Sequence, residues 1–293
     1  MRGARINALK RSPEVVELPD VDGVRIEAVA LNPLDITVGS GVFYGGHPDL
    51  PYVPGCEAAG RTEDGTLVYL FGEGHGVAKP GFLAERVAVS ESLPLPLPDG
   101  TDPALAAAIG IAGVAAWVPV AWKAKVGPGD RVLVLGARGA VGQVAVQAAK
   151  LLGAEKVVGA GRQASDDVVA LDEVGDAFGD EGFTVCIDPI WGEPLACVLE
   201  HAARHARVFH IGQSAGPEAP LRSADVRGKE LTIVGHSNFA MTTEERNRAY
   251  LEILQHVTAG RIELEVERFP LARAAEAWER QRSGPGGKVV IEF

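Results

Sequence analysis

Gly136, Gly139 and Gly142, each three residues from the next, are the residues of this chain whose type and spacing most directly describe a chemistry. In a dinucleotide site the first such glycine permits a sharp turn. The second removes a Cβ that would hold the pyrophosphate away, and the third lets a helix sit close on the preceding strand. Backbone amides at the helix start, including those of Ala140 and Val141, then face the anion. Glycines in turns are also common for purely structural reasons, so the reading depends on what flanks them.

The flanks are those a dinucleotide turn requires. Val132, Leu133, Val134 and Leu135 form the continuous apolar run of a strand buried on both faces of a parallel sheet. Val141, Val144, Ala145, Ala148, Leu151 and Leu152 then fall at helical spacing, and Gly153 stands where a C-terminal cap is wanted. The next strand ends in Val157-Val158-Gly159-Ala160-Gly161-Arg162. An NAD enzyme usually places a carboxylate there to hold the ribose hydroxyls, whereas an Arg accommodates the 2′-phosphate of NADP. Arg162 without a carboxylate therefore predicts NADPH, against the alternative of a solvated surface Arg.

A second pattern is Gly212-Gln213-Ser214-Ala215-Gly216, a G-x-S-x-G after a strand, with Asp225 and His236 following in hydrolase order. A nucleophile elbow needs a helix directly behind its serine, and Pro217-Glu218-Ala219-Pro220 stands there instead. A hydrolase is therefore not expected. Cys56, Cys186 and Cys197 are scattered and never at C-x-x-C spacing, which argues against a disulfide framework and a structural zinc site. Cys186 and Cys197 read as small buried hydrophobes. His47, His75, His201, His205, His210 and His256 show no ligand spacing and read as surface or packing residues.

With 293 residues, 46% of them hydrophobic, 36 Gly and 19 Pro, the composition suits a soluble α/β protein of one or two domains. A formal net charge of -11 argues against nucleic acid and anionic membranes as partners. Residues 1–10 have no apolar core of signal-peptide length, and no apolar run is expected to approach the length of a membrane span. The expected location is cytoplasmic.

Short β-type runs at residues 23–31, 65–70 and 85–89 mark a small β-rich region up to about Pro98, with no long helical pattern. An alanine-rich helical segment follows at 102–120. Strands are then expected at 156–158, 168–171, 184–187, 207–211 and 231–234, with helices at 193–203 and 242–259, the pattern of a doubly wound sheet. Residues 263–269, a helix at 271–282 and a strand at 288–293 close the chain.

Asn32-Pro33-Leu34-Asp35, Gly55-Cys56-Glu57-Ala58-Ala59-Gly60, the glycine turn, Asp188-Pro189-Ile190-Trp191-Gly192 and Gly287-Lys288-Val289-Val290 come in an order that resembles the medium-chain dehydrogenase/reductase superfamily. Within it the chain is most similar to the zinc-independent quinone oxidoreductases. The resemblance implies a GroES-like β-rich catalytic domain (1–98 and 264–293) and a Rossmann domain with a doubly wound parallel sheet (99–263), with the cofactor in the cleft between. Zinc alcohol dehydrogenases of the superfamily carry Cys where this chain has Asn32, His where it has Cys56, and Cys or Asp near Ile111. A catalytic zinc wants three N, S or O ligands, and one candidate remains, so no metal is expected.

The resemblance further implies that Gly212, Gln213 and Ser214, and Ser237, Asn238 and Phe239, line the nicotinamide pocket, and it adds Lys288 to the cofactor-binding set. The implied activity is NADPH-dependent reduction of a small-molecule quinone or α,β-unsaturated carbonyl compound, in a possible homodimer. Asn32 is the candidate hydrogen-bond donor to the substrate oxygen and Tyr44 the candidate proton donor. Asn32 before Pro33 equally suits a turn, and Tyr44 equally suits loop packing. A non-catalytic NADPH-binding sensor or structural protein and a zinc-type alcohol dehydrogenase are the alternatives.

One departure stands out. A parallel crossover through a helix takes about 10 to 12 residues or more, yet residues 163–167 alone separate Arg162 from the expected third strand. The connection should be an extended loop, or the third strand displaced. Either leaves apolar surface beside the adenosine site exposed, to be covered by a neighbouring subunit or left as a mobile binding region.

Overall fold

Apolar strand runs that alternate with helical patterns bury both faces of each strand most simply as a parallel sheet. The computed structural model, which describes residues 1–165, 167–284 and 286–293, contains that sheet. Its chain divides into two units, Met1–Ile111 with Leu264–Phe293, and Ala112–Glu263.

In the second unit six strands lie side by side in the order Val168–Ala170, Lys156–Gly161, Arg131–Leu135, Phe183–Asp188, Ala202–His210, Thr232–Gly235. All pairings are parallel. In chain order this is 3-2-1-4-5-6, the doubly wound Rossmann arrangement, with its switch point between Arg131–Leu135 and Phe183–Asp188. Val132, Leu133, Val134 and Leu135 are fully buried, as a strand covered on both faces requires. The helix Thr243–Thr258 starts as its sequence indicates: Thr242 Oγ1 accepts the Glu245 amide at 3.2 Å and the Glu245 carboxylate accepts the Thr242 amide at 2.9 Å.

The first unit holds a seven-stranded sheet ordered Val266–Pro270, Lys288–Glu292, Val24–Leu31, Glu57–Arg61, Leu67–Phe71, Leu95–Pro96, with Arg86–Val87 paired to Val24–Leu31. A two-stranded sheet, Arg2–Arg5 with Glu14–Glu17, accompanies it. The combination is the expected Rossmann plus GroES-like β-rich fold. Its core gathers Ile6, Ile26, Leu31, Leu70, Phe82, Trp278 and Ile291, from segments far apart in the chain.

Several expectations need correction. The helix Pro103–Lys123 is long and apolar enough to cross a membrane by composition, and 83% of its most apolar window is buried within the protein. Its apolar residues thus serve a core. Residues 202–203 are strand rather than helix, because Lys229 Nζ binds the carbonyls of Leu199, Glu200 and Ala202 and satisfies the helix end. A short helix, Pro33–Gly39, was not expected; Pro33 at its first turn and the Asp35 carboxylate on the Asn32 amide start it. Glu57–Arg61, poor in β-branched residues, is a strand because neighbours pair with it on both edges. Cys186 is buried as expected, but Cys197 is exposed.

The short connection after Arg162 is resolved by register. Val168 pairs with Gly159 and Ala170 with Gly161, so the third strand lies beside only the last three residues of the second. The chain needs to step back just that far. Ser165 and Val168 exchange backbone hydrogen bonds at 2.7 and 3.1 Å, closing a turn; Asp166, part of the connection, lies outside the described residues. The expected exposed apolar face is absent among the described residues: Val168 is 8% exposed, and Val169 and Leu171 pack against a cluster containing Val174 and Phe178.

Candidate functional site

The three glycines occupy the positions their spacing assigned. Gly136 turns with φ +61°, and a Cβ on it would lie 2.9 Å from Ile190 Cγ2. Gly142 presses on the turn itself: a Cβ there would lie 2.3 Å from the Gly136 carbonyl oxygen and 2.6 Å from Ala137 Cα. Gly139 is the N-cap of the helix Ala140–Leu151, and a Cβ on it would meet only the Gly136 oxygen, at 3.3 Å. The space in front of Gly139 is therefore open, and the amides of Ala140, Val141 and Gly142 belong to the first turn, whose N–H groups have no intrahelical acceptor. Such a cradle suits a pyrophosphate.

Arg162 follows the strand Lys156–Gly161. It is exposed and has no hydrogen-bond or ion-pair partner among the described residues. On the other side of the switch point, Gly212 lets its strand exit pass Pro189, whose carbonyl oxygen would be 2.6 Å from a Cβ. Gln213 and Ser214 are exposed, and the Gly216 amide turns back onto the Gln213 carbonyl at 3.1 Å. No helix follows Ser214 directly; the next begins at Ser223. Asp225 holds Arg222 at 2.7 Å, and His236 Nε2 lies 3.1 Å from Asn238 Oδ1, so the hydrolase order in the sequence corresponds to two separate local pairs. Burial, reinforced by the Lys123 charge, pushes the His236 pKa down to about 4. Ser237 Oγ accepts the Phe239 amide at 3.3 Å, and Phe239 is exposed.

In the first unit register brings three polar residues together. Val289 pairs with Leu31 in antiparallel register, which sets Lys288 opposite Asn32, and Ala30 pairs with Glu57. Lys288 Nζ binds Glu57 Oε1 at 2.8 Å and Asn32 Oδ1 at 2.5 Å. Asn32 Nδ2 donates to Glu57 Oε1 at 2.9 Å and to the Ala30 carbonyl at 3.2 Å. Tyr69 Oη and the Ile111 amide donate to Glu57 Oε2 at 2.8 and 2.6 Å. Gly110 makes room for this: a Cβ there would lie 2.1 Å from both Glu57 Oε2 and Tyr69 Oη.

Neither Glu57 nor Asp35 was singled out in the sequence for a role, although both lie in quoted motifs. Asp35 is buried, accepts the amides of Asn32 and Cys56 at 2.8 and 2.9 Å, and has its pKa raised, chiefly by burial. Tyr44, by contrast, is 85% exposed, with its ring 4.5 Å from that of Phe43.

The donors around Asn32 do not fit a catalytic zinc. Asn32 Oδ1 is taken by an ammonium, Ile111 contributes only backbone, and burial pushes the Cys56 thiol well above the ordinary thiol range.

A protein-family model described as zinc-binding dehydrogenase matches residues 152–291. The quinone oxidoreductase of Lama guanicoe is 30% identical over 292 residues, covering 92% of this chain and 87% of that protein. A phenolphthiocerol/phthiocerol polyketide synthase polypeptide of Mycobacterium tuberculosis is 29% identical over 299 residues. That match takes in 92% of this chain and spans 13% of the synthase polypeptide's length. Among solved structures, an NAD-dependent alcohol dehydrogenase aligns with TM-score 0.86 at 28% identity. The quinone oxidoreductase of Thermus thermophilus, solved also with NADPH, aligns with TM-score 0.83 at 25% identity. Both alignments cover 100% of either chain. Motif order, strand order and these likenesses agree: the chain belongs to the medium-chain dehydrogenase/reductase superfamily, in its quinone-oxidoreductase-like branch.

Proposed function

We propose that this protein is a zinc-independent, NADPH-dependent oxidoreductase that reduces quinones or alkenes conjugated to a carbonyl. The observation that carries the reading is the open cradle at Gly139 together with Arg162, an exposed cation without a partner among the described residues at the end of the adjacent strand. The Thermus quinone oxidoreductase, solved in complex with NADPH, and the Lama guanicoe enzyme support it. An NAD-dependent alcohol dehydrogenase shares the fold, so the choice of NADPH rests on Arg162 and not on the fold.

In this reading the amides of Ala140, Val141 and Gly142 hold the pyrophosphate and Arg162 the 2′-phosphate. Gly212, Gln213 and Ser214 line the far half of the cofactor site with Ser237, Asn238 and Phe239. NADPH, when bound, supplies the hydride. Asn32 serves the substrate oxygen by giving up its 3.2 Å bond to the Ala30 carbonyl, the longer of its two, while Glu57 and Lys288 keep the amide in place. Tyr44, exposed, delivers a proton to the product or orders a water that does. In this reading the catalytic domain is 1–98 and 264–293 and the dinucleotide domain 99–263, although the compact units divide later, between Ile111 and Ala112.

The internal saturation of Asn32 favours one second reading, an NADPH-binding protein without turnover. NADPH oxidation followed with a panel of quinones and enones separates the two. Acceleration by members of the panel is the result expected here, and cofactor binding with no oxidation across it overturns the enzymatic reading.

A further inference from the structure

Asp188 ends the strand Phe183–Asp188, His210 ends the neighbouring strand Ala202–His210, and the two are register partners. The Asp188 side chain is fully buried. Its Oδ1 accepts the amides of Ile190 and Trp191 at 3.0 and 2.8 Å. Its Oδ2 has no hydrogen bond among the described residues, and neither has His210 Nδ1, which lies 3.8 Å from it. A buried carboxylate oxygen without a donor is costly, and such atoms are rarely left so without a use.

The surroundings hold the imidazole in place. The Trp191 ring packs on it with centroids 4.1 Å apart, and Trp191 itself sits in the left-handed region at φ +59°. The His210 side chain is 30% exposed. Its Nε2 also lacks a hydrogen bond among the described residues.

A doubly wound sheet binds a dinucleotide across its switch point. Were the adenosine half on the side of Arg131–Leu135 and Lys156–Gly161, the other nucleoside would lie over the ends of Phe183–Asp188 and Ala202–His210, the next strands in the sheet order. We infer that Asp188 and His210 form a dyad that binds the nicotinamide nucleoside half of the cofactor, an inference that rests on the dinucleotide reading above. Asp188 Oδ2 accepts the Nδ1–H and so sets the tautomer, which leaves Nε2 with a lone pair facing outward. Its ligand is a hydroxyl or amide donor: a ribose hydroxyl or the carboxamide of that half. His210 touches the ligand and Asp188 is a positioning residue. A small ring rotation closes the 3.8 Å gap as the ligand seats, since such pairs are often long in the free protein.

The test measures binding of NADPH and of 2′,5′-ADP, which carries only the adenosine half, to the full-length protein and to His210→Phe, a variant that keeps a ring against Trp191. Expected is a loss of about three- to tenfold for NADPH with 2′,5′-ADP unchanged, the size of one neutral hydrogen bond. Equal affinities for NADPH in parent and variant, or equal weakening of both ligands, overturn the dyad. A parent that binds neither ligand overturns the dinucleotide reading and this inference with it. Nicotinic acid adenine dinucleotide phosphate, which lacks the amide donor, identifies the partner: the difference between parent and variant persists for a ribose hydroxyl and vanishes for the carboxamide. Nitrogen-15 spectra of histidine-labelled protein with NADPH bound should show His210 protonated at Nδ1, and Asp188→Asn should move the proton to Nε2. An Nε2-protonated His210 in the parent overturns the role of Asp188.

Discussion

Lys288 and Glu57 lie 231 residues apart in the chain and form an ion pair at 2.8 Å, with side chains 3% and 0% exposed. Four donors converge on that carboxylate, from Asn32, Lys288, Tyr69 and Ile111, so every oxygen is satisfied without water. Satisfaction of this kind is what makes a buried charge tolerable.

Lys288→Met removes the cation and leaves Glu57 charged and buried. The expected loss is about 3–5 kcal/mol of stability, read by urea denaturation, because breaking one partner of a buried pair strands the other. Adding Glu57→Gln to that variant should recover part of the loss. A single variant within about 1 kcal/mol of the parent would show that the pair is not a structural requirement.

Arg162→Ala should erase most of the preference for NADPH over NADH. One charge-assisted hydrogen bond corresponds to roughly tenfold to a hundredfold in affinity. Titrating both cofactors against both proteins decides it, and unchanged discrimination removes Arg162 from the cofactor site.

Gly142→Ala and Gly139→Ala should fail in different ways. The first puts a Cβ 2.3 Å from a backbone oxygen, so the turn must move, at a cost of about 1–3 kcal/mol in stability. The second meets one atom at 3.3 Å and should fold nearly as well as the parent, yet its methyl enters the open cradle and should weaken NADPH binding. Thermal unfolding and cofactor titration on the pair provide the contrast.

His236 gives the protein a pH dependence of known sign. Its pKa falls from 6.5 to about 4 on folding, mainly through burial and then through the Lys123 charge. The unfolded chain therefore takes up a proton below about pH 6.5 and the folded one only near pH 4, so stability declines as pH falls across that window. Between pH 6.5 and 5 the loss is on the order of 1 to 2 kcal/mol. Denaturation at the two pH values should show a smaller difference in His236→Gln; an identical slope refutes the assignment.

Purified protein after exhaustive dialysis should contain no stoichiometric zinc, and chelators should leave NADPH oxidation unchanged. The reason is the donor set: an amide oxygen held by an ammonium and a buried, protonated thiol do not make a three-ligand site. One zinc per chain by elemental analysis would contradict it.

Much of the dinucleotide unit was legible in the residues because its determinants are local. A strand, a turn and a helix are specified by neighbours a few positions apart, so residues 132–152 could be read directly. The residue count after Arg162 likewise excluded a crossover helix. It could not say that Val168 would pair with Gly159, since strand register depends on what the rest of the sheet and the following helix Val174–Phe178 can bury.

The sequence by itself determined the succession of strands in the dinucleotide unit, the family resemblance, and a glycine turn able to take a pyrophosphate. It misjudged Cys197, because burial is a property of the assembled chain and not of composition. Tertiary structure alone decided that Asn32, Glu57 and Lys288 share one buried network, and that Asp188 and His210 stand at adjacent strand ends. Both groupings arise from strand register between segments distant in the chain, and sheet pairing is fixed by the joint burial of whole faces, a condition that no local spacing encodes.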